Sequence, residues 1–135
     1  VQLCEDRGVT GTVVGSFEIL PQFSPVDALV WMTRTLCAAG DLSRISDLLE
    51  ASYKICQSGG TLLFDSIEVR DDLSNRGDGV REDVLRFRYG DQEGLPFTRT
   101  YFASRIAERL VQGTMWTLEQ ILREEDAYLV VARKV

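Results

Sequence analysis

Histidine is absent from this sequence, and its absence excludes more chemistry than any single residue indicates. Without imidazole the chain has no Ser–His or Cys–His nucleophile pair and no histidine-ligated metal site. Acid–base catalysis near neutral pH would have to use carboxylates, tyrosine, cysteine or lysine. Lysine is scarce as well, because Lys54 and Lys134 are the only two lysines among 15 basic residues.

Cysteine is also rare in the chain. Cys4, Cys37 and Cys56 are widely spaced, odd in number and set among apolar residues. This pattern favours neither a disulfide framework nor a zinc site built from paired cysteines. We therefore expect free, buried thiols in a reducing cytoplasm and no bound metal.

Long apolar runs and an excess of positive charge are both missing. No stretch approaches the ~18 apolar residues that a membrane-spanning helix needs, and the formal net charge of −6 argues against binding to nucleic acid. With 135 residues, 44% hydrophobic and 27% charged, the chain fits one globular domain at residues 1–135. The composition predicts a soluble, cytoplasmic protein with no membrane or nucleic-acid partner.

Hydrophobic patterning predicts an α/β fold in the first half of the chain. Residues 9–14 are rich in β-branched side chains and predict a strand. Residues 26–32 are mostly apolar on both faces of the pleat, as in a strand buried at the centre of a sheet. Asp41 is expected to cap a helix, and a further strand follows at residues 61–67. A strand, a helix and a second strand in this order predict a crossover between parallel strands.

The second half of the chain is predicted to be mainly antiparallel. Residues 70–79 are polar and rich in glycine, which indicates a surface loop. Alternating apolar and charged residues at 83–98 predict an inserted hairpin. A helix closed by Gly113 and a C-terminal hairpin turning at residues 124–126 complete the chain. We expect the loop and hairpin, residues 70–99, to form a lid.

Four short strings occur in an order and spacing that match one known family. They are residues 15–21 (Gly-Ser-Phe-Glu-Ile-Leu-Pro), 26–30 (Val-Asp-Ala-Leu-Val), 58–65 (Ser-Gly-Gly-Thr-Leu-Leu-Phe-Asp) and 128–134 (Tyr-Leu-Val-Val-Ala-Arg-Lys). Together they resemble the C-terminal portion of a class I S-adenosylmethionine-dependent methyltransferase of the small-molecule type. The resemblance spans essentially the whole chain. It implies a partial Rossmann-like sheet of mostly parallel strands, with an inserted hairpin and a C-terminal antiparallel hairpin.

The resemblance also implies S-adenosylmethionine as the cofactor and methyl transfer to a small-molecule acceptor. Open α/β sheets bind their ligands at the carboxyl ends of the strands. The residues expected to contact the cofactor there are Gly15, Ser16, Phe17, Trp31 and Met32. Phe17 could equally plug the end of the sheet, and Trp31 and Met32 could belong to the core.

Two polar residues are candidates for catalysis at the same edge of the sheet. Arg34 carries a planar fork that could hold a substrate carboxylate or phosphate, or it could form a surface ion pair with Asp27 or Asp41. Asp65 could act as a general base or orient the acceptor, or it could cap the following turn. The candidates for acceptor binding are Arg34, Phe87, Tyr89 and Tyr101. We interpret the arginines interleaved with these aromatics, Arg86, Arg88 and Arg99, as part of a solvated hairpin over the substrate mouth.

Two elements of the family pattern have no counterpart in these residues. They are the Gly-x-Gly-x-Gly cofactor loop and the acidic residue that holds the ribose, and Ser16 stands where the family usually has an aspartate. In the sheet of this family, the strands that carry the missing elements lie between two others. The strand that residues 9–14 match is on one side of them, and the strand that residues 26–32 match is on the other. Three arrangements stay open. The chain could be a fragment, it could pair with another subunit or a copy of itself, or the two strands could close directly on each other.

Two functions are compatible with these observations. The first is a methyltransferase, completed by another chain or by missing N-terminal residues. The second is a non-catalytic half-domain that binds a protein partner, or self-associates, through its exposed sheet edge. An unrelated α+β barrel with a pocket is a third possibility, but it does not explain the four ordered strings. We expect a homo-oligomer, such as a dimer, or a complex with a complementing N-terminal half.

Overall fold

A computed structural model describes residues 2–135, which form three helices and eight strands. The helices are α1 (Gln2–Asp6), α2 (Leu42–Ile55) and α3 (Ser104–Gln112). The strands are β1 (Val26–Trp31), β2 (Cys56–Ile67), β3 (Val80–Leu85), β4 (Arg88–Tyr89), β5 (Gln92–Glu93), β6 (Phe97–Phe102), β7 (Thr117–Glu124) and β8 (Ala127–Arg133). Short 3₁₀ turns at Phe17–Gln22, Leu36–Ala39 and Asp71–Leu73 lie in the connections.

The main sheet has the strand order β1-β2-β8-β7. Strands β1 and β2 are parallel, as the predicted crossover requires, while β8 is antiparallel to both of its neighbours. Strands β3 and β6 form a separate antiparallel pair that ends in the short β4–β5 hairpin, so the inserted hairpin is confirmed with its pairing extended to Val80 and Phe102. The predicted mixed α/β class is confirmed, although β1 and β2 are the one parallel pair among residues 2–135.

One face of the main sheet carries the core. Its side chains Leu62, Phe64, Val130 and Ala132 are fully buried and belong to one cluster with the apolar positions of α2 and α3. Helix α2 begins where the sequence predicts, because the Asp41 carboxylate accepts the backbone N–H of Arg44 at 3.0 Å. Lys134 caps the other end of α2, because its Nζ atom donates to the carbonyls of Tyr53 and Cys56 at 2.7 Å each.

The opposite face of the sheet is open. Val30 pairs in register with Leu63, and Leu63 pairs with Val131, so these three side chains form an apolar row across β1, β2 and β8. Val30 is 56% exposed, and Leu63 and Val131 are half-buried. Within residues 2–135 no helix covers this row, because α1 has no buried residue.

The predicted strand at residues 9–14 is wrong. These residues have no regular secondary structure and Val14 is 79% exposed. β-branched residues favour a strand only where a neighbouring strand can take up the backbone N–H and C=O groups, and none lies beside this segment. The prediction that residues 26–32 form the centre of the sheet is wrong for the same reason. β1 is the edge strand of the described sheet, and its outer edge is unpaired.

The cysteine prediction holds for two of the three thiols. Cys37 and Cys56 are buried and free, but Cys4 lies on α1, which has no buried residue, and is exposed. Burial raises the pKa of the Cys37 thiol to about 11, although a hydrogen bond with Ser66 lowers that pKa in part. Cys37 is therefore a neutral core residue at physiological pH rather than a nucleophile.

No helix within residues 2–135 is long and apolar enough to cross a membrane. In the same part of the chain, no group of three or more acidic or cysteine side chains is arranged to hold a metal ion.

Candidate functional site

The turn after β1 has an unusual backbone. Thr33 and Arg34 both adopt the left-handed conformation, with φ values of 58° and 60°. Neither residue is a glycine, and such a conformation costs about 1–3 kcal/mol for each residue. Two hydroxyls, those of Thr33 and Thr35, donate to the carbonyl of Met32 at 2.7 and 2.6 Å and help to hold the turn. Strain of this kind is frequent at binding and catalytic sites.

Asp65 supports this turn from the neighbouring strand. Its Oδ1 atom accepts the backbone N–H of Arg34 at 2.8 Å. β1 ends at Trp31, which is in register with Phe64, so Asp65, two residues before the end of β2, lies directly beside the residues that leave β1. Its second oxygen, Oδ2, accepts no hydrogen bond within residues 2–135, and the side chain borders a depression of about 440 Å³ on the open face of the sheet. Asp65 thus holds the turn with one oxygen and has the other available.

Arg34 does not form the surface ion pair that the sequence suggested as an alternative. Asp27 accepts a hydrogen bond from Gln57, and Asp41 caps α2. In the described part of the chain, no carboxylate lies within ion-pair distance of Arg34, and its Nε atom is buried without a hydrogen-bond partner. An unpaired buried donor costs about 1–3 kcal/mol, so it requires a structural or functional explanation.

Arg99 on β6 has the same property. Its Nε atom is also buried and unpaired, and Arg34 and Arg99 are the two residues with such an atom in the described chain. The facing residue on β3, Asp83, is in register with Arg99, but both of its oxygens accept from Arg81 Nε, at 3.1 and 2.9 Å. The sequence interpretation of Arg99 as part of a solvated hairpin is therefore wrong, because its side chain is half-buried and has no acidic partner.

The turn after β1 is connected through backbone contacts to the buried Cys37 and to β6, the strand that carries Arg99. Cys37 donates its backbone N–H to the carbonyl of Arg34 at 3.1 Å. The turn that contains Cys37 is joined to β6, because Thr100 donates to the carbonyl of Gly40 at 2.5 Å. The positive charges of Arg99 and Arg34 lower the pKa of the Cys37 thiol, and the Asp65 carboxylate raises it.

The predicted cofactor residues gather beside the same end of β1. The rings of Phe17 and Trp31 pack edge to face, with 5.5 Å between their centroids. The Trp31 indole N–H donates to Ser52 on α2, so Trp31 is half-buried and supports Phe17. Ser16 hydrogen-bonds the carboxylate of Glu18, and Met32 is exposed at the end of the strand. Gly15 leads into this segment, and a Cβ atom there would collide with the side chain of Ile19.

The predicted acceptor residues are on the inserted hairpin. Phe87 and Tyr89 are at its tip and are 72% and 88% exposed. Phe87 stacks on Phe97, with ring centroids 5.2 Å apart. Tyr101 lies further down β6, where the Arg99 guanidinium is 5.8 Å from its ring centroid. Of the three predicted acceptor aromatics, Tyr101 is thus the one whose ring lies close to Arg99, the arginine with the unpaired Nε atom.

A larger depression, of about 540 Å³, lies at the other end of the sheet. It borders Tyr53, Gly113 and Lys134, near the first residues of β2. The Lys134 ammonium there is already bound to two backbone carbonyls. The other charged residues that border it, Glu50 and Lys54, are exposed, so among residues 2–135 this depression has no buried, unpaired polar side-chain atom.

Comparison with known proteins identifies the fold. No family model and no curated protein matches this sequence. Solved structures do match. A methyltransferase from Bacteroides fragilis in complex with S-adenosyl-L-homocysteine superposes with a TM-score of 0.79 over 99% of this chain and 59% of its own, at 19% identity. The CcbJ methyltransferase from Streptomyces caelestis superposes with a TM-score of 0.73 over 99% of this chain and 74% of its own, at 12% identity.

A sugar N-methyltransferase from Streptoalloteichus is also similar, with a TM-score of 0.63 over 98% of this chain and 66% of its own, at 14% identity. The chain thus spans 59% to 74% of the length of these three structures. The likeness shows that residues 2–135 have the Rossmann-like fold that these methyltransferases share.

Proposed function

We propose that this chain is the acceptor-side portion of an S-adenosylmethionine-dependent methyltransferase acting on a small molecule. The strand order β1-β2-β8-β7 supports this proposal, together with the superposition on a structure that binds S-adenosylhomocysteine. The polar side chains at the carboxyl ends of β1 and β2 agree with it, because ligands of open α/β sheets bind at that edge.

The residues present fit one side of the cofactor. Phe17, braced by Trp31, offers an apolar surface for the adenine ring, and Ser16 and Met32 border the same region. The sequence contains no glycine-rich loop and no ribose-binding acid, so these residues hold only part of the molecule. When bound, S-adenosylmethionine supplies a methyl group whose C–S bond breaks as an acceptor lone pair attacks, and the electron pair passes to sulfur.

The role of this chain in methyl transfer is to position the acceptor and receive its proton. Asp65 Oδ1 holds the turn that carries Arg34, and Oδ2 is available to take the proton that the acceptor loses. Because the methyl group is already activated, positioning provides most of the remaining acceleration. The absence of histidine is therefore compatible with this reaction.

We propose the inserted hairpin as the lid of the acceptor site. Its tip exposes Phe87, Tyr89 and Leu95. Large apolar side chains on a protruding tip indicate a surface that is covered when a ligand or a partner binds. Closing this tip over the acceptor would exclude water from the reacting atoms.

A complementing α/β segment is proposed to cover the unpaired edge of β1 and the apolar row that contains Val30. Three observations support this occupant over a second copy of the chain. The edge is open, the row is apolar, and the similar structures contain further residues that this chain does not match. Such a segment would also supply the missing glycine-rich loop, whereas a second copy would not.

The cofactor contact is tested by calorimetric titration with S-adenosylhomocysteine. Replacing Phe17 with alanine is expected to weaken binding roughly tenfold, because an aromatic contact of about 1–1.5 kcal/mol is lost. Phe23→Ala is the matched control, since Phe23 is exposed in the adjacent segment and should leave the affinity unchanged. A folded protein that gives no saturable heat would contradict the cofactor site and favour the non-catalytic, partner-binding alternative.

The open face is tested by the mass of the purified chain in light scattering. We expect the chain alone to self-associate above its 15.2 kDa mass, because the apolar row is uncovered. Val30→Lys should shift it toward the monomer, whereas Val84→Lys, the same change on an exposed valine of the hairpin, should not. A wild-type chain that is monomeric at all concentrations would contradict self-association through this face and leave the complementing segment as its occupant.

A further inference from the structure

Ser52 is a fully buried polar residue in the interior of helix α2. A helix interior favours alanine over serine, because a serine hydroxyl competes for backbone hydrogen bonds. Within residues 2–135 this hydroxyl takes part in one side-chain hydrogen bond, in which the Trp31 indole N–H donates to Ser52 Oγ at 3.3 Å. The hydroxyl therefore weakens the helix locally and serves as the acceptor for Trp31.

This hydrogen bond restricts the plane of the Trp31 ring. The indole N–H is the one polar group of a tryptophan side chain, and a buried one needs an acceptor. The last torsion angle of tryptophan is broad, so a partner at the ring nitrogen selects one orientation of the ring. Trp31 is half-buried, and without Ser52 Oγ its N–H would have to turn toward water.

The plane of the Trp31 ring in turn determines how Phe17 packs. The two rings meet edge to face, with 5.5 Å between their centroids and 86° between their planes. This arrangement is favoured because the positive edge of one ring meets the negative face of the other. Rotation of Trp31 would remove that match. The orientation of Phe17 thus depends on a hydroxyl that it does not contact.

Helix α2 provides a rigid base for this contact. Three residues before Ser52, the Leu49 carbonyl accepts the Trp116 indole N–H at 2.8 Å. Directly after Ser52, the Tyr53 carbonyl accepts Lys134 Nζ at 2.7 Å. Both donors lie near the C-terminal hairpin, so the turn of α2 that carries Ser52 is fixed to the sheet on two sides.

We propose that Ser52 is a positioning residue for the cofactor, which acts through Trp31 to set the face that Phe17 presents to the adenine ring. The contact between Phe17 and adenine rests on the proposed methyltransferase function, whereas the orientation of the two rings by Ser52 does not. Ser52 is fully buried and is not a contact of the bound molecule. Loss of its hydroxyl is therefore expected to change cofactor affinity and to preserve the fold.

The hydrogen bond is tested by NMR of the indole N–H groups. The chain contains two tryptophans, Trp31 and Trp116, so the spectrum has two indole signals and one of them is an internal reference. Ser52→Ala should shift the Trp31 signal, speed its exchange with water and leave the Trp116 signal in place. Ser43→Ala, on the exposed side of α2, is the matched control and should move neither signal. An unchanged Trp31 signal in Ser52→Ala would overturn the proposal.

The effect on the cofactor is tested by a double-mutant cycle with S-adenosylhomocysteine. Ser52→Ala is expected to weaken binding about threefold in the wild-type background, because part of the aromatic contact is lost. In Phe17→Ala protein the same substitution should have no further effect, because its connection to the adenine ring is already removed. A merely structural role would weaken binding equally in both backgrounds, and that result would overturn the positioning role.

Titration of the wild-type chain distinguishes the two levels of inference. Saturable binding of S-adenosylhomocysteine that Ser52→Ala leaves unchanged would reject the positioning role and keep the proposed function. Absence of saturable binding by the folded wild type would contradict the proposed function and the role of Ser52 toward the cofactor together. A shifted Trp31 signal in Ser52→Ala would then support the contact between the rings alone.

Discussion

Replacing Asp65 with asparagine is expected to lower the rate of methyl transfer by about 10²–10⁴-fold and to leave the fold intact. The amide oxygen of asparagine can still accept the backbone N–H of Arg34, which Asp65 Oδ1 accepts at 2.8 Å in the wild type. The amide cannot take a proton from the acceptor. The substitution therefore removes the proposed base and keeps the support of the strained turn.

Asp65→Ala removes both contributions and is expected to reduce stability as well as rate. The backbone N–H of Arg34 would lose its partner, at a cost of about 1–3 kcal/mol. The measurement combines single-turnover methyl transfer, once an acceptor is identified, with urea unfolding of each variant. Asp47→Asn on the exposed side of α2 is the control, with no effect expected on either quantity. If Asp65→Asn keeps full activity, Asp65 is a positioning residue only.

Trp116→Ala is expected to lower the free energy of unfolding by about 3–5 kcal/mol, the largest effect on stability that we expect. Trp116 is buried just before β7, and its ring meets that of Tyr53 edge to face with 5.3 Å between centroids. Its indole N–H donates to the carbonyl of Leu49 on α2 at 2.8 Å. The side chain therefore joins the last hairpin to the helix that covers the sheet.

Trp116→Phe separates packing from hydrogen bonding. It keeps an aromatic ring but removes the hydrogen bond to the Leu49 carbonyl, which still accepts a backbone N–H within α2, so a smaller loss of about 0.5–1.5 kcal/mol is expected. Met115→Ala is the matched control, because Met115 precedes Trp116 in the chain and is 72% exposed. Urea unfolding monitored by far-UV circular dichroism gives all three values. A loss for Trp116→Ala no greater than that for Met115→Ala would contradict this role in the core.

The elements that depend on local signals were predictable. Asp41 caps α2 as expected, because capping involves only the first turn of a helix. The crossover from β1 to β2 and the two hairpins also follow from periodicity and turn residues within short segments.

The elements that depend on neighbours were not predictable in the same way. Residues 9–14 have the composition of a strand, but no strand pairs with them. The apolar pattern of β1 is typical of a buried central strand, although its outer edge is unpaired in the described chain. Cys4 was expected to be buried, but its helix has no buried residue. These three errors have one cause, because composition reports the surroundings that a segment favours and not those it has.

The candidate site shows the same division. The sequence indicated Arg34 and Asp65, since both follow predicted strands at the edge where α/β sheets bind ligands. It did not indicate Arg99 as a site residue, because Arg99 is distant in sequence from both Arg34 and Asp65. The alternation of arginines with aromatics in the hairpin was a visible signal, but it could not tell which arginine is half-buried and unpaired.

The sequence by itself determined the order of helices and strands, the exclusion of histidine chemistry and the resemblance of four strings to a methyltransferase. These properties depend on residue identity and spacing over short distances. Only the tertiary structure decided that β1 is an open edge, that Asp65 supports the turn after β1, and that Arg34 and Arg99 each bury an unpaired Nε atom. Burial and pairing of this kind depend on contacts between residues distant in sequence, and the packing of the β3–β6 hairpin against the turn at residues 36–40 creates them.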